Sequence, residues 1–174
     1  MSISPTGGVL EPLLEHYTQT LPCTDILVRG DSGFATPEVY DVCETYQRHY
    51  VIRHKVNAKL AALVESLVRI GDNHPWEQEE VDHYSISYRA SSWPKGWRVC
   101  IQSTREAGEL TFRHEYVVTG LSENLSVKMV FQLYQKRVAK ENYIMEAKNG
   151  FYLDKTDSSD FLENHARMMV SLLA

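Results

Sequence analysis

The chain has 174 residues, 43% of them hydrophobic and 24% charged, with a net charge of −5. This is an ordinary composition for a folded domain with its own core, and it excludes a disordered chain. No run of about 18 apolar residues occurs, and the opening MSISPTGGVLEP has neither the basic start nor the apolar core of a signal peptide, so a cytoplasmic protein with no membrane partner is expected.

The elements follow in chain order. VLEPLLEHYTQTL carries Leu10, Leu13, Leu14 and Leu21 at helical spacing and is closed by Pro22. DILVRGD reads as a short buried strand. TPEVYDVCETYQ opens with Thr36 as N-cap, Pro37 at the first helical position and Glu38 in the first turn, a strong helix start. HYVIRHK is a second β-rich run, and NAKLAALVESLVRIG a helix capped by Asn57 and ended by Gly71. Helix, strand, helix, strand, helix implies parallel strands with crossover helices.

The pattern then changes. After the acidic turn DNHPWEQEE come HYSISYRA, GWRVCIQSTR and ELTFRHEYVVTG, whose apolar residues alternate (Tyr84, Ile86, Tyr88; Trp97, Val99, Ile101; Leu110, Phe112, Tyr116, Val118). They read as a small antiparallel sheet inserted in the α/β pattern. From SENLSVKMVF onward a long helix returns, with Ser122 as its cap, and SSDFLENHARMMVSLLA is a final amphipathic helix. The domain division expected is 1–74 for the α/β portion, 75–121 for the β-rich insertion and 122–174 for the C-terminal helices.

Cys23, Cys43 and Cys100 are odd in number and contain no Cys-x-x-Cys, so reduced buried thiols are expected rather than a disulfide framework or a zinc site. The seven histidines show no metal-ligand spacing. Net negative charge weighs against a nucleic-acid partner, but the charge is unevenly spread. Residues 46–69 hold Arg48, Arg53, Lys55, Lys59 and Arg69 against Glu65, and residues 126–148 hold Lys128, Lys136, Arg137, Lys140 and Lys148 against Glu141 and Glu146. Acid collects in 72–82 and after Asp154, so one basic face is expected.

Two places carry candidate chemistry. The Gly-Asp-Ser-Gly of residues 30–33 is similar to the nucleophile loop of trypsin-like proteases, but here it ends a strand and leads into a helix, and no histidine has a triad context. Asp31 itself is the better candidate, because an acid at the carboxyl end of a parallel strand faces the crevice where α/β sheets hold ligands. Gly30 and Gly33 would leave that crevice uncrowded. In YQKRVAKENYIMEAKNGF, Tyr134, Arg137, Glu141 and Lys148 are spaced by three, four and seven residues, which puts them within an arc of roughly 60° on one helix face. Asp31 and Glu141 brought together would make an oxygen-ligand site for Mg²⁺ or Mn²⁺.

ILVRGDSGFATPEVYDVCETYQRHYVIRHKVNAKL resembles the second-aspartate segment of the DDE transposases of bacterial insertion sequences, of the group-one DDE domain. YQKRVAKENYIMEAK is similar to the Y-x2-R-x3-E-x6-K signature of the related superfamily at every specified position. The resemblance runs from about residue 8 to the end of the chain. It implies a partial RNase H-like α/β domain with an antiparallel insertion between the second and third catalytic acids. It also implies a DNA transposase in which Asp31 and Glu141 are catalytic acids and metal ligands for Mg²⁺ (or Mn²⁺). Tyr134, Arg137 and Lys148 would hold DNA phosphates near the scissile bond. Of Trp76, Trp93 and Trp97, core or turn packing is the expected role, and Trp93 or Trp97, in the inserted sheet, would be the better placed to stack on an unpaired base, with Trp97 taken as the DNA-binding candidate.

The resemblance further implies a first aspartate upstream. No residue before Asp31 fits that place: Glu11 and Glu15 lie in a helix pattern, and Asp25 precedes the same strand. The chain therefore reads as the C-terminal part of a transposase catalytic domain. Its partners would be transposon ends and target DNA, with self-association into a homo-oligomer and a place at the bacterial nucleoid. The alternatives are a non-catalytic product that binds DNA or transposase subunits, and an unrelated RNase H-like nuclease, which would have no need of the Tyr-Arg-Lys stripe.

Overall fold

The structure is a computed structural model that describes residues 5–68 and 76–136. The chain divides into two compact units, Met1–Tyr134 and Gln135–Ala174, and the described elements lie in the first, save the last residue of the final helix. Helix α1, Pro5–Thr20, buries Leu14 and packs Leu10 against the core, whereas Leu13 and Leu21 are exposed. Strand β1, Leu27–Gly30, runs into a single 3₁₀ turn at Ser32–Phe34. Helix α2, Pro37–Thr45, starts where Thr36 is extended and Pro37 fixes the first turn. The Thr36 hydroxyl makes no capping bond, so the proline and the Thr36 carbonyl, which accepts from the Val39 and Tyr40 amides, define this start.

Strand β2 is His49–Arg53, and helix α3 is Ala58–Leu67, capped by Asn57, whose Oδ1 accepts the Leu60 amide at 2.9 Å. The same oxygen accepts the Tyr88 hydroxyl at 3.0 Å, which ties the helix start to the next strand. Strands β3 (Glu80–Tyr88), β4 (Trp97–Arg105) and β5 (Arg113–Thr119) form the antiparallel block. Leu110 belongs to the turn before β5 and is exposed, so the alternation read from Leu110 begins later than expected. Helix α4 is Val127–Gln135 and begins five residues after Ser122. The Ser122 hydroxyl accepts from Asn124 N–H in a local turn, and Ser126 meets the Met129 amide at the true helix start.

Among the described residues the five strands make one sheet, in the order β1-β2-β5-β4-β3. β1 and β2 are parallel, with Gly30 beside Ile52, as the crossover pattern requires. The other pairs are antiparallel. The antiparallel strands thus do not stand as a sheet of their own. They continue the parallel pair through β2 and β5, where Ile52 faces Val118.

Alternation along the strands sends side chains to two faces. On one, Tyr50, Ile52, Val99, Ile101, Tyr116 and Val118 pack with Leu14, Val39, Tyr40, Leu60 and Val64 of the first three helices. On the other, Val51, Cys100 and Val117 pack with Val130 and Phe131 of α4. Cys43 and Cys100 are buried as expected, and burial pushes the Cys43 thiol up to about 12, so it stays protonated and inert. Cys23 is exposed, contrary to the expectation for all three.

One carboxylate gathers polar groups at the edge of the larger core. Glu44, in the last turn of α2, accepts from the Trp97 indole N–H at 2.8 Å, from the Tyr50 hydroxyl at 3.1 Å and from Lys95 Nζ. Lys95 also pairs with Asp41 at 3.1 Å and lies over the Trp97 ring. Burial alone would raise the Glu44 carboxyl, but the hydrogen bonds from Lys95 and Trp97, then the Lys95 charge and the Tyr50 hydroxyl, outweigh it and lower the group. A lowered folded value means that the Glu44 contribution to stability is fully present above the ordinary glutamate value and is lost as pH falls through the folded one. Thermal melts followed from neutral pH downward are therefore expected to show a loss below the ordinary glutamate range that Glu44→Gln removes. The magnitude is at most about 1 kcal/mol, because the pair is partly solvated.

Candidate active site

Asp31 lies directly after β1, at the carboxyl end of the parallel pair. It caps the 3₁₀ turn, with Oδ1 accepting the Gly33 amide at 2.8 Å. Its carboxylate is exposed. Gly30 leaves room that a side chain would fill, and Gly33 sits close to the Asp31 carboxylate. A Cβ on Gly33 would stand 3.1 Å from Asp31 Oδ1, and one on Gly30 would stand 2.9 Å from the Phe34 Cβ.

The face on which Asp31 emerges follows from register. Arg29 is beside Val51, whose side chain belongs to the α4 core, while Gly30 is beside Ile52, which belongs to the opposite core. Asp31 keeps an extended backbone, φ −81° and ψ −173°, so alternation carries it to the side of Arg29 and α4. Arg29 makes the connection physical: its Nη1 donates to the Leu133 carbonyl in the last turn of α4, at 3.3 Å. A cation at a helix C-terminus is favoured by the unpaired carbonyls there. In the turn ahead of the same helix, Arg98 donates to the Ser122 carbonyl at 2.6 Å and to the Leu125 carbonyl at 2.8 Å. Two arginines on two strands therefore fix the path of α4 across the sheet.

The remaining expected site residues divide three ways. Tyr134 is half-buried on α4 and packs against the smaller apolar cluster. Arg137, Glu141 and Lys148 lie outside the described residues. Trp97 is a correction. It is 4% exposed, its ring meets Tyr40 and Trp93 edge-on, and its indole N–H is satisfied by Glu44. A ring enclosed in this way has no face to offer a base. Arg29, Arg98 and Glu44 were not singled out as site or supporting residues, because their partners lie far along the chain and leave no local pattern.

Among the described residues no three histidine, cysteine or acidic side chains come together as a metal cluster. Asp31 nonetheless fits a hard cation in kind. It is a carboxylate on an exposed turn residue, with oxygen atoms of the sort that divalent ions prefer.

These features define a strand-end acid served by a helix on the same sheet face. The chain belongs to the Transposase DDE domain group 1 family, whose model matches residues 4–174. A comparison with curated proteins gives no match. The family is one of DNA transposases, which generally use divalent metal ions. No helix among the described residues is long and apolar enough to cross a membrane.

The Arg29 contact yields a direct check. Arg29→Met keeps the buried stem and removes the donor. Amide exchange of Val130–Tyr134 is expected to accelerate roughly tenfold, equivalent to the loss of about 1.4 kcal/mol for one charge-assisted hydrogen bond. Unchanged exchange in α4 would mean that Arg29 does not hold it.

Proposed function

We propose that the chain carries two of the acids of a DDE-type site for metal-dependent DNA strand cleavage and transfer, Asp31 and Glu141. The observation that carries this reading is the placement of Asp31 on the face that α4 covers, with the end of α4 tied to β1 by Arg29. Glu141 follows Leu133 by eight residues in the sequence. RNase H-like topology and an insertion between the two acids are part of this reading.

Asp31 and Glu141 would hold Mg²⁺ or Mn²⁺, which supplies activation of an attacking oxygen and stabilisation of a leaving oxygen on phosphorus. The chain's own groups do the positioning. Arg137 and Lys148 oppose the charge of the DNA phosphates flanking the scissile bond, and the Tyr134 hydroxyl donates to a phosphate oxygen. In the first step water attacks the phosphodiester and a 3′ hydroxyl leaves. In the second that 3′ hydroxyl attacks target DNA and displaces another 3′ oxygen, so one phosphodiester is broken for each one formed. The partners are transposon ends and target DNA, with self-association of the protein.

The alternative is a non-catalytic product that binds DNA or transposase subunits. It differs in its metal chemistry, since Asp31 and Glu141 would then not converge on one divalent ion. Isothermal titration with Mn²⁺ separates the two. Weak binding that is lost in both Asp31→Asn and Glu141→Gln is the expected result and means that the two acids share one site. Binding unchanged in both variants would leave the non-catalytic reading as the account of this chain.

A further inference from the structure

Strand β3 lies at the edge of the sheet, with β4 on one side and, among the described residues, no strand on the other. Its nine residues pair with β4 in unbroken register, from Glu80 beside Arg105 to Tyr88 beside Trp97. The direction of its backbone groups follows from hydrogen bonds farther along the sheet. The His54 N–H donates to the Tyr116 carbonyl and the Gly120 N–H to the Tyr50 carbonyl, so even-numbered residues of β5 turn their amide groups toward β2 and odd-numbered ones toward β4. Carried through the registers, odd-numbered residues of β4 exchange hydrogen bonds with even-numbered residues of β3. Val81, His83, Ser85 and Ser87 therefore aim their N–H and C=O groups outward, away from β4.

Edge strands are commonly blunted by proline, lysine, a bulge or short length. β3 carries none of these. Val81, Ser85 and Ser87 are exposed, and Ser85, Ile86 and Ser87 in succession line a groove of about 470 Å³. The strand also fits its own copy. A two-fold axis at Tyr84, the middle residue, sets Glu80 opposite Tyr88, Asp82 opposite Ile86, Val81 opposite Ser87 and His83 opposite Ser85, so no two acids meet. Outward-facing residues then meet outward-facing residues along the whole strand. Centred on Asp82 instead, the pairing would set that acid against its own copy, and charge disfavours that register.

We propose that β3 is a self-association surface, on which a second copy of this chain adds its own β3, antiparallel and centred on Tyr84, so that two sheets become one. This rests on the self-association in the reading above and gives it a location. The four outward residues of each subunit supply about eight backbone hydrogen bonds to the new ladder. Tyr84 meets Tyr84 of the partner subunit as a cross-strand aromatic pair, on the face of the larger core. Glu80 and Asp82 keep their present partners, Arg105 and the Tyr84 hydroxyl. Asp31 follows β1, the opposite edge of the sheet, so the pairing leaves it accessible in both subunits.

The test is amide hydrogen exchange of the full 174-residue chain over a range of concentrations, with sedimentation velocity on the same samples. A dimer is expected, and the amides of Val81, His83, Ser85 and Ser87 gain protection as it forms. Those of Asp82, Tyr84 and Ile86 are protected at every concentration, because β4 holds them. Ser87→Pro removes one outward N–H from each subunit without touching the β4 ladder. It is expected to weaken the dimer about tenfold or more while the even-numbered amides stay protected. Odd-numbered amides that exchange freely in the dimer, or a Ser87→Pro dimer of wild-type strength, would overturn the edge as the interface and leave self-association intact. Odd-numbered amides equally protected in a monomer would mean that the chain covers its own edge, which also overturns the proposal. A chain that stays monomeric throughout would overturn the surface and the self-association with it, but not the shared metal site, which the Mn²⁺ titration decides.

Discussion

The pairing of β2 with β5 is the constraint on which the rest of the fold depends. Val51, Ile52 and Arg53 meet Thr119, Val118 and Val117, and the Thr119 hydroxyl closes the start of the contact by donating to the Tyr50 carbonyl at 2.8 Å. Through this short ladder a parallel crossover unit and an antiparallel meander become one sheet. A slip of β2 by one residue against β5 would turn its side chains over relative to the rest of the sheet. Val51 would then enter the helical layer of α1 to α3, and Ile52 would face α4. The side on which α4 meets β1, and therefore its relation to Asp31, is decided there.

The two faces are built from different chemistry. The face under α1, α2 and α3 is thick and aromatic: Tyr40, Tyr50, Trp93 and Trp97 pack together, and Glu44 satisfies two of their polar atoms. The α4 face has a smaller apolar centre of Val51, Cys100, Val117, Val130 and Phe131. Around it stand groups that can exchange partners with solvent or ligand, among them Arg29, Asp31, Arg53 and Glu115. Rigidity is concentrated on one side of the sheet and chemistry on the other. Arginines at both ends of α4 couple the two, because each reaches from a strand that the aromatic core holds in place.

Features set by local chemistry were legible in the sequence. Thr36-Pro37 and Asn57 mark helix starts because capping and proline geometry act within one turn, and the parallel β1–β2 pair follows from the crossover helix between them. Where two local signals compete, reading failed. Ser122 and Ser126 both stand ahead of the helical run, and only the fold shows that the first makes a turn and the second meets the helix. Long-range satisfaction was not legible at all. Trp97 looked available because its partner, Glu44, is 53 residues away, and the strands of the meander gave no sign that they would join β2. At the site, the position of Asp31 after β1 and the tight room at Gly30 were readable from strand-end logic. The roles of Arg29 and Arg98, each set by a carbonyl on or beside α4, were not.

The central claim is that Asp31 and Glu141 serve one divalent ion. Paramagnetic broadening by substoichiometric Mn²⁺ in amide NMR spectra of the whole chain tests it most directly, because the ion erases signals only from the residues around it. The account predicts that signals from Gly30 to Phe34 and those around Glu141 broaden together. Broadening confined to the acidic stretch between residues 72 and 82, with the Asp31 turn untouched, would contradict it.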